Sequence, residues 1–191
     1  MGHESPRWTF VFIGACFIAF FIQNVTGYWV YLMFVPALAF SMPWMFISSI
    51  FLHADFSHLF FNMFALFFFG IYLERMVGRR VFAGLFLLSG VLGNVGYMLT
   101  ASSPYIPAVG ASGAVYGVIG SLAVLAPLLM VFIYGLVPIP MVVAAILWGL
   151  MDFLGLFSPS GIAYGAHLLG MLVGVTYGFY LRVSVRRGFR Y

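Results

Sequence analysis

Six long apolar runs, nearly free of charge, govern what this chain can fold into. They fall at Phe10–Gln23, Ser57–Leu73, Val81–Thr100, Ser112–Ala126, Pro140–Phe157 and Gly165–Val183. A soluble domain carries about a quarter charged residues, whereas this chain of 191 residues carries 6%. It cannot cover a water-facing surface, so the runs read as membrane spans of about 20 residues each. Only helices and closed barrels satisfy every backbone group within lipid. The runs are too long and too continuously apolar for barrel strands of about 10 alternating residues. The expected architecture is an all-α membrane protein, a bundle of six transmembrane helices forming a single domain over residues 1–191.

Tyr28–Ile50 is also apolar and uncharged. Its prolines (Pro36, Pro43), tryptophans (Trp29, Trp44) and tyrosines read instead as a structured interfacial loop. The arginines decide between six spans and seven. With six, Arg7, then Arg75, Arg79 and Arg80, then Arg182, Arg186, Arg187 and Arg190 all fall on one side. The loops after helices 1, 3 and 5 contain no Lys or Arg. A positive-inside distribution therefore places both termini in the cytoplasm. The net charge of +4 is a topology signal, with no nucleic acid implied. The first run lacks a small-x-small cleavage site followed by a polar domain, so it reads as a span. The single cysteine, Cys16, reads as a packing residue.

In this topology helices 2, 4 and 6 all start at the outer side, and their free N–H groups gather there. Polar side chains inside a membrane are functional candidates, and three sets stand out at that end. Ser112 opens helix 4 in "VGASGAVYG"; it reads either as a helix cap or packing residue or as a nucleophile. His167 lies near the start of helix 6, and reads either as a structural histidine or as a base. Below Ser112 stand Gly113 and Gly117; below His167 stand Gly170, Gly174 and Gly178. Small residues at intervals of four let two helices approach closely, which would bring the hydroxyl to the imidazole. Tyr116, four residues after Ser112, shares its face. His58 and Asn62 share a face of helix 2 and suit the donors an oxyanion needs; His53, just before, reads as loop bracing. Asp152, in helix 5, reads as a gate, capping or packing residue, with an orienting role toward His167 the lesser alternative.

The stretches "GASGAVYG", "HADFSHLFFN" and "AHLLGMLVG", on helices 4, 2 and 6, resemble the signature of the rhomboid family of intramembrane serine proteases, and the resemblance covers nearly the whole chain. It implies the six-helix core of the simple prokaryotic members, with Tyr28–Ile50 as the membrane-embedded first loop. It further implies Ser112 as nucleophile and His167 as general base, acting as a dyad without a carboxylate. His58 and Asn62 would line the oxyanion hole with the Ser112 backbone N–H and the Gly110 loop. Tyr116 would support the base, Gly113, Gly170 and Gly174 would serve close packing, and Glu74 and Arg75 would be structural. Cleavage of other proteins' transmembrane segments near the outer surface would follow, with no metal or cofactor. The chain departs from the family at Met45, where members often carry arginine after the loop tryptophan; this bears on loop stability. Two other readings are a metal or haem protein using His53, His58 and His167, and a non-catalytic relative that binds membrane clients. The first lacks an H-E-x-x-H pattern; the second is at odds with the presence of both Ser112 and His167. Substrate and oligomeric state are not encoded in any recognisable motif.

Overall fold

A computed structural model describes residues 5–133, 135–158 and 160–186. Six long helices build the bundle: α1 (Trp8–Thr26), α2 (Phe56–Val77), α3 (Arg79–Thr100), α4 (Ser112–Leu125), α5 (Met141–Gly155) and α6 (Tyr164–Arg186). Helices α1, α2, α3 and α6 are long and apolar enough to cross a membrane, and α4 and α5 are shorter apolar helices. The bundle is membrane-embedded: α1 and α5 turn Phe17, Ile18, Phe21, Ile146, Leu150 and Met151 outward, where only lipid satisfies such faces.

Helix α4 is the axis of the fold. Every residue from Gly113 to Leu122 except Tyr116 is buried, so the helix has no free face. It packs against α2, α3, α5 and α6. Its 14 residues rise about 21 Å, short of the roughly 30 Å of a hydrocarbon core. Glycines set its distance from α6. A Cβ on Gly170 would collide with the Gly113 carbonyl, and one on Gly174 with the Gly117 carbonyl. At Gly113 a Cβ would sit 3.3 Å from the Ala166 carbonyl oxygen and 3.5 Å from the Gly93 Cα, so α3, α4 and α6 meet there.

Between α1 and α2 no continuous helix forms. The segment runs through short turns at Tyr28–Tyr31, Pro36–Leu38, Met45–Ser48 and Ser49–Phe51. It is anchored rather than loose. Phe34 bridges to Ala108 through paired backbone bonds of 2.8 and 3.0 Å. The Asn94 amide on α3 donates to the Phe46 carbonyl and the Ser49 hydroxyl, both at 2.9 Å. Met45, in the place noted for an arginine, is fully buried in a cluster with Phe34, Ala39, Tyr97 and Ala166. Apolar packing braces the loop there.

The opposite end of the bundle is tied by Glu74. Its carboxylate accepts the backbone N–H groups of Arg7, Trp8 and Thr9, each at 2.9 Å, and the Thr9 hydroxyl at 2.7 Å. These are the N–H groups that open α1, so α2 caps α1 across the bundle. Arg79 donates to the Ser5 carbonyl beside it.

Helices α1, α2, α3 and α6 extend one to four residues beyond their apolar runs at one or both ends, whereas α4 and α5 fall short of theirs, α5 ending at Gly155 rather than Phe157. Pro140 does not open α5, and Ala126 closes α4 rather than belonging to it. Between them lies an antiparallel hairpin, β1 (Met130–Ile133) and β2 (Val137–Pro140). The apolar β-branched residues and Pro138 and Pro140 favour extended backbone there, and Gly135 supplies the left-handed turn at φ 72°.

Candidate active site

The N-termini of α2, α4 and α6 lie at the same end of the bundle, and the polar residues singled out in the sequence lie there too. Ser112 is the first residue of α4. The first N–H groups of a helix have no partner within it and point at whatever sits before the first turn. Ahead of it Gly110 adopts φ 127°, in the left-handed region, and its N–H donates to the Ser49 carbonyl at 2.9 Å. A Cβ on Gly110 would lie 2.7 and 2.8 Å from Cε1 and Nε2 of His58. Glycine is thus required twice over: for its backbone and for the imidazole pressed against it.

The close approach of α4 and α6 puts His167 Nε2 2.8 Å from Ser112 Oγ. Tyr116, one turn below Ser112, stacks on the imidazole with ring centroids 4.3 Å apart and planes within 11°. On the other edge of the ring, Nδ1 lies 3.3 Å from Asp152 Oδ1 on α5. Both side chains are sheltered, the His167 side chain 13% and the Asp152 side chain 8% exposed.

On α2, Asp55 caps the helix by accepting the His58 N–H at 2.8 Å and the Ser57 hydroxyl at 2.6 Å. These bonds, led by the one from Ser57, hold the Asp55 carboxyl below the usual carboxylate range. Asn62 is buried, and its amide donates back to the His58 carbonyl at 2.9 Å. So His58 meets the Gly110 backbone two residues before Ser112, while the Asn62 amide is turned along its own helix. His53 is braced rather than bracing. Gln23 of α1 clamps its backbone, accepting its N–H at 3.2 Å and donating to its carbonyl. Its ring stands edge-on to His58 at 5.1 Å and is fully buried. Burial pushes the imidazole down to about 4.

The sequence reading held the Asp152–His167 contact only as the lesser alternative, and it missed the Gln23 clamp and the Asn94 brace. A carboxylate inside an apolar helix was the available signal for Asp152. Which neighbour it meets depends on the rotation of α5 against α6.

The family model described as the Rhomboid domain matches residues 40–184, which takes in the last part of the first loop, all three polar clusters and nearly all of five of the six long helices. The chain belongs to the rhomboid family. Among curated rhomboid relatives, it is 36% identical over 117 residues to the putative rhomboid protease YdcA of Bacillus subtilis, covering 61% of this chain and 55% of that one. It is 32% identical over 126 residues to the rhomboid protease GluP of the same organism, covering 62% and 24%. It is also similar to a protein named inactive, RHOMBOID-like protein 8 of Arabidopsis thaliana, with 34% identity over 79 residues, covering 41% and 22%. The chain thus spans about half the length of YdcA and less of the other two.

Proposed function

We propose that this rhomboid chain is an intramembrane serine endopeptidase, acting as one six-helix domain on transmembrane segments of other proteins. The observation that carries the reading is the 2.8 Å contact between Ser112 Oγ and His167 Nε2 at the half-buried start of α4. A hydroxyl within hydrogen-bond reach of an imidazole is the core of an activated nucleophile. His167 takes the hydroxyl proton as Ser112 Oγ attacks the scissile carbonyl carbon. It then returns the proton to the leaving amide nitrogen, which departs and leaves an acyl-enzyme. Water hydrolyses that ester by the same steps in reverse. The oxyanion is received by the Ser112 N–H and the Gly110 loop, with His58 and Asn62 as side-chain donors, the latter after its amide turns from the His58 carbonyl. Tyr116 holds the imidazole plane. Gly113, Gly170 and Gly174 hold α4 and α6 at the spacing the dyad needs.

The substrate must unwind locally, because a helix hides its scissile carbonyls in hydrogen bonds. The arginines at the end opposite Ser112 support cytoplasmic termini and a site opening to the outer side. Water reaching that end supplies the deacylating nucleophile.

The test is co-reconstitution of the purified protein with a model transmembrane substrate in liposomes, with products mapped by mass spectrometry. The reading expects one cleavage within or beside the substrate span, abolished in Ser112→Ala and His167→Ala. A folded wild-type protein that retains the substrate uncleaved would favour client binding without catalysis, as the inactive relative's name illustrates.

A further inference from the structure

Of the chain's four acidic residues, Asp55, Glu74 and Asp152 fall among the described residues. Asp55 and Glu74 are explained as helix caps. Glu74 sets the standard for a structural carboxylate in this bundle: it is buried, and its two oxygens between them accept four hydrogen bonds. Asp152 does not meet that standard. It is 5% exposed, its Oδ1 faces His167 Nδ1 at 3.3 Å, its Oδ2 is buried with no hydrogen-bond partner within 3.5 Å, and the Tyr116 hydroxyl is its other polar neighbour. Burying a carboxylate in an apolar surround is costly unless it is paired, and the group paired here is neutral until it accepts a proton.

Of the two neutral tautomers, the geometry fits one. An imidazole with its proton on Nδ1 donates to Asp152 and leaves Nε2 to accept from Ser112, so one tautomer satisfies both contacts. Tyr116 fixes the ring plane by stacking, and Asp152 fixes the rotation of the ring within that plane. On α5 the buried residues are Met141, Ala144, Ala145 and Asp152. In the last turns of that helix Asp152 is the one buried side chain, and Gly155 beside it lies against the Tyr164 ring.

We propose that Asp152 is a positioning residue for the base. Its carboxylate holds His167 with Nδ1 protonated and Nε2 toward Ser112, and stabilises the imidazolium formed when the serine proton moves to Nε2. The Nδ1 proton stays on the ring throughout, and the carboxylate stays ionised; only the Nε2 proton passes on to the leaving nitrogen. The 3.3 Å separation is longer than a charge-assisted bond, and it shortens when the ring becomes charged. The proposal rests on the reading of Ser112 and His167 as nucleophile and base, and adds a third member to a dyad.

The experiment compares wild type with Asp152→Asn, Asp152→Leu and Asp152→Glu in three measurements: thermal unfolding, kcat and KM on a reconstituted transmembrane substrate, and the Nδ1 proton resonance of His167 in histidine-labelled protein. Neither Asn nor Leu leaves a buried charge unpaired, so both fold with unfolding temperatures no lower than wild type. In both, kcat falls about 10²- to 10⁴-fold, the range for acid–base contributions, with KM unchanged. Asp152→Glu recovers part of the loss. The resonance lies far downfield in wild type and in Ser112→Ala, and leaves that position in the Asn and Leu variants. A folded Asp152→Asn with wild-type kcat overturns the proposal, as does a loss of activity that tracks loss of folded protein in every variant. An inactive wild type with an unreactive Ser112 overturns the protease reading itself, a result distinct from either.

Discussion

Adding one methyl group to Gly174 tests whether the glycine faces set the dyad geometry. In the folded bundle a Cβ at this position falls inside the contact distance of the Gly117 carbonyl. Backbone, unlike a flexible side chain, cannot rotate out of the way. The α4 and α6 helices must separate by about 1 Å or more at a site packed like a crystal, which costs about 1–3 kcal/mol in overpacking. The same separation acts on the Ser112–His167 contact, and a 1 Å misplacement of reacting groups costs on the order of 10²-fold in rate. Two other glycines calibrate the effect. At Gly178 a Cβ would meet Val124 Cβ at 3.0 Å and Ser121 O at 3.2 Å, so a shift of a few tenths of an ångström suffices. At Gly84, on the exposed face of α3, nothing lies within 4 Å; alanine there is neutral or stabilises by about 0.5–1 kcal/mol. The expected order of damage is Gly174→Ala, then Gly178→Ala, then Gly84→Ala, both in unfolding temperature and in the rate of cleavage of a reconstituted substrate. A Gly174→Ala protein as stable and as active as Gly84→Ala would refute the idea that these glycines hold the two helices together.

Replacing Glu74 with alanine strands the N–H groups of Arg7, Trp8 and Thr9, and should destabilise the bundle by about 2–3 kcal/mol; chemical unfolding in detergent measures it, and the folded fraction should keep its activity. Met45→Ala opens a cavity under the first loop beside Tyr97 and Ala166, at a cost of about 2–5 kcal/mol, read by thermal unfolding and by faster proteolysis within 28–50. His53 titrates at about 4 in the fold against an ordinary 6.5. The unfolded chain therefore takes up a proton first, and stability falls as pH drops from about 6.5 to about 4. His53→Phe should flatten that part of the stability profile, and an unchanged profile would remove His53 as its source.

The bundle was legible because lipid imposes few solutions: apolar runs of span length, arginines on one side, and glycines at intervals of four below Ser112 and below His167. Those glycines also made the meeting of α4 and α6 readable, since small residues on two helices have few uses other than close approach. What stayed hidden depends on rotation and register between elements far apart in the chain. Asp152 is conspicuous as a charge in an apolar helix, but its partner is fixed only by how α5 turns toward α6. Glu74 reaches the start of α1 across 65 residues or more, and Gln23 reaches His53 across 30, with no local pattern to announce either. The hairpin at Met130–Pro140 lies between two apolar runs, and strands of four residues are too short to show a period of their own. Met45 looked like a missing brace; its burial against Phe34 and Tyr97 is a packing result that composition does not reveal.

The central claim is that Ser112 is an activated nucleophile, and a fluorophosphonate probe applied to purified protein in detergent tests it most directly. The account predicts a single covalent adduct on wild type, mapped by mass spectrometry to Ser112 and absent from both Ser112→Ala and His167→Ala. A folded, monodisperse wild-type protein that takes no label, or one whose label survives in His167→Ala, would contradict it.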